Sequence, residues 1–266
     1  MLTAYIQGIG LIGPGLADWQ NGARVLAGEE AYSPRATTVP APGGLPAAER
    51  RRIGATVKLA LSVAQQAVAA AGVDPAGILS VFTSSGGDGL ICHEICETLA
   101  SADRQLSPTR FHNSVHNAAA GYWSLATGAT TASTALCAHD GSFAAGLLEA
   151  LALVSADRVP VMLNAYDTGY PEPLRAKRPL PDSFGVALIL TPDPAPRACA
   201  KIAASLCAAG SLCDRFPESR LEALRAALPA ARSLPLLRLL ARREPGEVVL
   251  DYVGDQHVAV EVRECR

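Results

Sequence analysis

The sequence has little charge, no long apolar run and no closely paired cysteines. Charged residues make up 18% of its 266 residues and the formal net charge is −2, which excludes the broad basic surface that binds nucleic acids or anionic membranes. No apolar run of about 18 residues occurs, and the first residues lack a basic segment followed by an apolar core. We therefore expect a cytoplasmic protein with neither nucleic acid nor membrane as a partner.

Seven cysteines form an odd set without a Cys-x-x-Cys pair, which suits neither a disulfide framework nor a zinc ribbon. Cys92, His93 and Cys96 have a spacing that resembles a metal site. In the helical segment LICHEICETLA, however, positions i and i+4 predict a buried face, because free cysteine packs as a small hydrophobe. We expect reduced thiols and no bound metal.

Hydrophobic residues make up 49% of the sequence, enough for a sizeable core. With so little charge, part of the apolar surface is expected to be covered by another subunit. Oligomerisation is therefore predicted.

Apolar periodicity predicts alternating strands and helices. Strands are expected at 3–7, 78–83, 130–137, 159–167 and 184–192. Helices are expected at 17–28, 47–72, 88–102, 112–128 and 142–156, with a glycine turn after residue 7 and a loop at 106–111. Helices between strands are typical of crossover connections, so the fold class is predicted as α/β, a layered α-β-α arrangement around a mixed, mostly parallel sheet.

The composition changes after Pro192. We expect one domain over 1–192 and a C-terminal extension over 193–266, helical and then a β-hairpin from EVVLDYV and HVAVEVR, packed on the same domain. The extension is rich in arginine, which is typical of a solvated helix face; a docking face for an acidic partner is the alternative. These residues are Arg220, Arg225, Arg232, Arg238, Arg242 and Arg243.

Gly8, Gly10 and Gly13 satisfy the Gly-x-Gly-x-x-Gly pattern after a strand. Pro14 interrupts the helix that should follow, and no strand ending in an acidic residue lies about 20 residues on, as a dinucleotide site requires. No cofactor is expected.

Cys137, His139 and Asp140 lie together between a predicted strand and a predicted helix. Side chains at i, i+2 and i+3 across such a turn diverge, so the three cannot converge on one substrate atom. A reactive Cys137 needs a base from elsewhere, and His112 and His116 are the candidates outside the turn.

Three segments resemble β-ketoacyl synthases. The opening YIQGIGLIGPG with WQNGARVLAG resembles their glycine-rich N-terminus, and STALCAHDGSFAAG resembles their nucleophile turn. LSPTRFHNSVHNAAAGYWSLATGA resembles the segment in which Ser-Pro precedes an Asn-x-Ala-Ala-Gly-x-x-Ser helix, matched by Ser107, Pro108, Asn117, Ala119, Ala120, Gly121 and Ser124. The resemblance covers about residues 1–192 and implies a thiolase-like half.

The resemblance also implies the loss of catalysis. In the family, glycines follow the reactive cysteine at the spacing of Gly141 and Gly146, which places Ala138 at the nucleophile position. Cys137 then falls one residue early and is expected to point into the interior. No histidine motif of the family's C-terminal half follows Pro192. The turn of Cys137, Ala138 and His139 therefore resembles a vestige, as in the chain-length-factor-like proteins of aryl polyene biosynthesis.

The resemblance implies a heterodimer with a complete ketosynthase, which in turn uses an acyl carrier protein. Residues at the subunit interface and acyl tunnel are then expected to be Thr109, Arg110, Phe111, Asn113, His116, Asn117 and Phe143. Packing between helices without a tunnel role is an alternative for this segment. Two other functions stay open: a free-standing acyltransferase or thioesterase that uses Cys137 with His112, His116 or His139, and a homodimeric acyl-binding scaffold.

Overall fold

The computed structural model describes residues 1–207 and 212–265. Residues 208–211, within the predicted extension, lie outside the described residues. Ten α-helices occur in the described part of the chain: α1 Trp19–Ala27, α2 Ala47–Arg50, α3 Ala55–Ala71, α4 Gly89–Ala100, α5 Pro108–Asn113, α6 Ala118–Thr127, α7 Ser142–Asp157, α8 Leu174–Lys177, α9 Ser219–Ala227 and α10 Leu234–Arg242.

Within the described residues, eight strands form one sheet: β1 Leu2–Ile12, β2 Leu79–Thr83, β3 Ser133–Leu136, β4 Val161–Asp167, β5 Phe184–Thr191, β6 Ala200–Cys207, β7 Gly246–Asp251 and β8 His257–Arg263. Their order is β3-β2-β4-β5-β1-β6-β8-β7, so β3 and β7 are the edges. The predicted hairpin is confirmed by the antiparallel β7–β8 pair. No described helix has the length and apolar character needed to cross a bilayer.

The sheet is mixed, as predicted, but the prediction that it is mostly parallel is wrong. Among the described strand pairs, β2–β3 and β2–β4 are parallel, and the remaining five are antiparallel. Strands β1 to β4 share one direction, as crossover helices require. Strand β5 lies between β4 and β1 and runs against both, which reduces the number of parallel neighbours.

Helices cover both faces of the sheet in an α-β-α arrangement. One buried cluster joins the sheet to α3 and α6 and contains Trp123 and Phe82. The other joins it to α1, α7, α9 and α10 and contains Phe143 and Leu237. The C-terminal segment thus shares a core with the first strands, and a domain boundary at Pro192 stays a prediction.

Several predicted boundaries were wrong. The expected glycine turn is part of β1, which continues to Ile12, and the chain turns at Gly13–Leu16. The expected helix 47–72 is broken before Gly54, which is extended and precedes α3. Helix α5 begins inside the expected loop, because Pro108 follows the capping hydroxyl of Ser107. Strand β6 and the short helix α8 were not predicted.

Glycines in β1 allow α3 to lie directly against the strand. A Cβ on Gly8 would collide with the carbonyl oxygen of Ala67, and one on Gly10 with that of Val63. The Gly-x-Gly pattern therefore serves helix–strand packing. This contact explains why a glycine-rich segment forms a regular strand.

A buried carboxylate joins the C-terminal segment to the rest of the fold. Asp167, at the end of β4, accepts hydrogen bonds from the backbone N–H of Ser85 at 2.8 Å and of Ala230 at 2.9 Å. Burial raises the pKa of Asp167 to about 6, although these bonds and the charge of Arg178 act in the opposite direction. Its ionised form therefore carries a desolvation penalty that the two bonds offset only in part.

Gly10→Ala is expected to lower the free energy of unfolding by about 3 kcal/mol, because the new methyl forces α3 away from β1. Urea denaturation followed by circular dichroism measures this change. Gly77→Ala is the matched control, since a Cβ on Gly77 meets no atom within 4 Å. Equal stability of both variants would show that the close contact does not constrain the fold.

Asp167→Asn is expected to change how stability depends on pH. The pKa of Asp167 is higher in the folded state than in the unfolded state, so the folded state binds this proton more tightly. The resulting stabilisation is fully present below about pH 4 and is lost as the pH rises through 6. The difference in unfolding free energy between wild type and variant should fall by roughly 3 kcal/mol from pH 3 to 7. Denaturation at several pH values measures it, with Asp255→Asn as the exposed control; a flat difference contradicts the account.

Candidate functional site

The turn between β3 and α7 is the candidate site, and its three polar side chains diverge as predicted. The Cys137 thiol donates to the carbonyl oxygen of Ser85 at 3.2 Å. His139 and Asp140 face the other way, towards Arg178. No imidazole contacts the Cys137 sulfur among the hydrogen bonds of the described residues, so the three do not form a catalytic triad.

The backbone of the turn is strained at one residue. His139 has a φ of 50°, the left-handed region that costs a non-glycine residue energy. The Ser142 hydroxyl accepts from the Ala138 N–H at 3.1 Å and donates to the His139 carbonyl at 2.7 Å. The amide at the bend, which is the kind of group that stabilises an oxyanion in acyl transfer, is therefore already satisfied within the chain.

Two guanidinium groups hold the turn through Asp140. Arg178 donates to one carboxylate oxygen at 2.9 Å and Arg232 to the other at 3.0 Å. Desolvation acts to raise the pKa of Asp140, but the Arg178 hydrogen bond and the charge of Arg232 outweigh it and lower the pKa. The carboxylate thus stays ionised and bound to both arginines at neutral pH.

Arg178 also engages His139. Its Nη1 lies 2.6 Å from His139 Nε2, and because arginine has no acceptor, this nitrogen must accept the hydrogen bond. The lone pair with which His139 would act as a base is then directed at Arg178. The hypothesis that His139 serves as the base for Cys137 has no geometric support in this arrangement.

The ion pairs extend from the turn into the C-terminal segment. Arg232 also pairs with Asp251 at 3.3 Å, Asp251 pairs with Arg225 at 2.7 Å, and Arg225 pairs with Glu222 at 2.8 Å. Arg225 is buried, so the prediction of a solvated helix face is wrong for Arg225 and Arg232. Sequence reasoning found the arginines but not their acidic partners, of which Glu222 lies on the same helix as Arg225 and Asp140 and Asp251 lie on other elements.

Cys137 is exposed, so the prediction that its side chain points into the interior is wrong. Because β3 is an edge strand, the side of the strand that was expected to be buried is open. Cys137 borders a shallow, mainly apolar cavity of about 720 Å³ between α7 and the end of β6. Its lining includes Leu2, Leu136, Ala138, Leu148, Leu206 and Tyr252.

The predicted interface segment divides into exposed and buried residues. Thr109, Arg110, Phe111 and Asn117 are exposed, with Phe111 at 63%, and Arg110 pairs with Glu94 of α4 at 2.9 Å. His116 is half-buried and its Nε2 lies 3.3 Å from the Ser84 carbonyl. His112 packs edge-on against Tyr122. Neither of these histidines is hydrogen-bonded to Cys137 in the described structure.

Two of the predicted interface residues are instead buried inside the chain. The Asn113 amide donates to the Arg52 carbonyl at 2.8 Å and its oxygen accepts from the Tyr122 hydroxyl at 3.0 Å. Phe143 is 1% exposed in the core beneath α7. Both residues support local packing, since helical periodicity turns them inward.

Exposed apolar residues lie on and around the predicted interface segment. Helix α4 buries only a narrow stripe, and Cys92 and Cys96 are exposed rather than buried as predicted. No three His, Cys, Asp or Glu side chains converge on a metal-binding arrangement within the described ranges. We call the surface the α4–α6 face and define it by its exposed apolar residues Leu90, Leu99, Phe111, Val115 and Leu125.

Comparisons with solved structures show that the fold is shared. A chain of the ketosynthase ApeO–chain length factor ApeC complex from Xenorhabdus doucetiae superposes with a TM-score of 0.74 at 22% identity, covering 98% of this chain and 100% of that one. The ishigamide ketosynthase/chain length factor gives 0.72 at 14% identity, over 99% and 100%. A β-ketoacyl synthase from Burkholderia phymatum STM815 gives 0.69 at 10%, over the whole of both chains.

No curated protein matches the chain in sequence. The sequence model of the family described as the β-ketoacyl synthase N-terminal domain matches residues 19–236. This range is most of the chain and includes α5, α6 and the turn between β3 and α7. The thiolase-like α/β fold expected from the three sequence motifs is confirmed by the structural neighbours. The chain belongs to the β-ketoacyl synthase N-terminal domain family.

Proposed function

We propose that this chain is a non-catalytic, chain-length-factor-like subunit that pairs with an active β-ketoacyl synthase. The observation that carries the proposal is the turn after β3, where the residue three positions before Gly141 is Ala138. A methyl group cannot accept an acyl group. The adjacent amide and the His139 imidazole are already hydrogen-bonded within the chain, which leaves the turn without a nucleophile–base pair.

The surface supports a partner. The outer backbone edge of β3 pairs with no strand in the described structure, and helix α6, which carries Leu125 of the α4–α6 face, contacts β3. Exposed edges and contiguous apolar surface mark sites of association in soluble proteins. Two of the structurally similar complexes join a ketosynthase with a chain length factor. A ketosynthase subunit is therefore the partner we propose, and the acyl carrier protein is reached through it.

We propose that helix α5 limits the length of the product that the ketosynthase subunit makes. Thr109 and Phe111 are exposed there, so a subunit that covers the α4–α6 face brings its own acyl tunnel against them. The bulk of the Phe111 ring then acts as a physical stop on a growing chain. The pathway class we propose is polyketide or fatty-acid biosynthesis of the aryl polyene type.

Cys137 supports a second candidate, a free-standing acyltransferase or thioesterase. The observation in its favour is that the thiol is exposed at the edge of an open cavity. The observation against it is that the Cys137 thiol donates its described hydrogen bond to the Ser85 carbonyl and not to a histidine that could act as its base. The two candidates differ in whether modification of this thiol removes an activity.

Phe111→Asp is expected to weaken binding to the ketosynthase subunit by on the order of 100-fold, because a charge replaces an exposed aromatic ring in a desolvated interface. The thermal stability of the isolated chain should stay unchanged. Co-purification and calorimetric titration measure this, and Val253→Asp, an exposed site on the β7–β8 turn, is the control. Unaltered binding by the Phe111 variant contradicts the proposed interface.

Alkylation of Cys137 separates the two candidates. Iodoacetamide near pH 7 is expected to label the exposed thiol of the isolated chain. The labelled chain, freed of reagent before the ketosynthase subunit is added, should still support product formation by the assembled complex. Peptide mass spectrometry locates the label, and Cys137→Ser serves as the unlabelled control. Stoichiometric labelling that removes an acyl-transfer activity of the isolated chain favours the Cys137 enzyme instead.

A further inference from the structure

Helix α6 contains a glycine that the isolated chain does not need. Four glycines lie inside α-helices of the described structure, and three of them permit close packing. A Cβ on Gly22 would collide with Leu11, one on Gly89 would lie 2.6 Å from Tyr170, and one on Gly146 would lie 2.7 Å from Thr83. Gly121 is the fourth, and a Cβ on it meets no atom within 4 Å.

Backbone geometry does not require Gly121 either. It lies in the middle of α6 and is not among the residues with positive φ. A glycine within a helix lowers its stability relative to alanine, because it increases the entropy of the unfolded chain. Neither conformation nor packing within this chain offsets that cost. A close contact between α6 and another molecule would offset it.

Gly121 lines an open cavity of about 660 Å³, which we call the α6 cavity. Its lining comes from helices α2, α5 and α6 and the links beside them, and includes Pro108, His112, Val115, Ala118, Gly121 and Leu125. Val115 is 49% exposed and Leu125 is 50% exposed. Burying this exposed apolar lining against apolar groups of another molecule would be energetically favourable.

The two charged side chains at the cavity and its tyrosine hydroxyl are already paired, whereas Thr109, His112 and Asn117 line it with exposed polar groups. Arg52 contacts Glu49 at 2.8 Å, and the Tyr122 hydroxyl is bound to Asn113. A charged small molecule would have to compete with these contacts. An apolar protein segment fits the cavity without leaving a buried charge unpaired.

The cavity is continuous with the proposed interface. Helix α6 ends at Thr127 and contacts β3, and Val115 and Leu125 belong to both the cavity and the α4–α6 face. A subunit that pairs with the β3 edge therefore lies beside α6. It can reach Gly121 without a rearrangement of this chain.

We infer that the α6 cavity receives an apolar segment of the ketosynthase subunit, which approaches the α6 backbone so closely at Gly121 that no Cβ fits between them. This inference rests on the proposed function, because it takes the ketosynthase as the occupant. It adds that α6, and not only α5 and β3, is part of the interface. Gly121 is then a determinant of assembly that the isolated chain retains at a cost in stability.

Two substitutions test the inference, because stability and assembly should change in opposite directions. Gly121→Ala is expected to raise the Tm of the isolated chain by about 2–4 °C, since alanine favours the helix and the methyl meets nothing. The same methyl should weaken binding to the ketosynthase subunit. Gly121→Leu should weaken binding by about 10-fold or more, as overpacking does.

The measurements are differential scanning fluorimetry of the isolated chain and calorimetric titration with the ketosynthase subunit that co-purifies with wild type. Ala223→Leu, on the exposed face of α9, controls for a larger side chain elsewhere. Wild-type affinity of both Gly121 variants overturns the inference and leaves the proposed function intact. Failure of the wild-type chain itself to bind any ketosynthase subunit overturns the proposed function first.

Discussion

The arrangement of this molecule depends on the contact of Asp140 with two guanidinium groups. Asp140 belongs to the turn that precedes α7, Arg178 to the segment after α8, and Arg232 to the connection between α9 and α10. A charge that is half-buried is stabilised only if its partners remain in place. These ion pairs therefore fix the turn against the C-terminal segment, and through Arg178 they also engage the His139 imidazole.

The proposed function depends on the surfaces that these ion pairs of Asp140 leave exposed. The bend has a methyl group at Ala138 and a bound imidazole at His139, whereas the neighbouring β3 edge and the α4–α6 face have no partner within the described structure. This arrangement is the basis for proposing a subunit that associates with a partner and performs no chemistry at the turn. In the account proposed here, the thiolase-like core has become a support for an interaction surface, and the partner performs the condensation.

Much of the fold followed from periodicity, but the details depended on long-range packing. The continuous apolar runs of β2, β4 and β5 and the alternation in the terminal hairpin were strong enough to predict these strands. Gly8 and Gly10 were mistaken for a turn because local pattern cannot show that α3 packs against them. Strand β6 was missed because AKIAASLC is as compatible with a helix. Its strand state comes from pairing with β1 and β8.

The site was harder to predict, because its contacts span the chain. Asp140 lies 38 residues from Arg178 and 92 from Arg232, and no spacing rule connects them. Cys137 was expected to be buried, yet its exposure depends on β3 being an edge strand. The most direct test is intact-mass spectrometry of the assembled complex after incubation with an acyl-carrier-protein thioester. The account predicts an acyl adduct on the ketosynthase subunit and none on this chain; an adduct on Cys137 would contradict it.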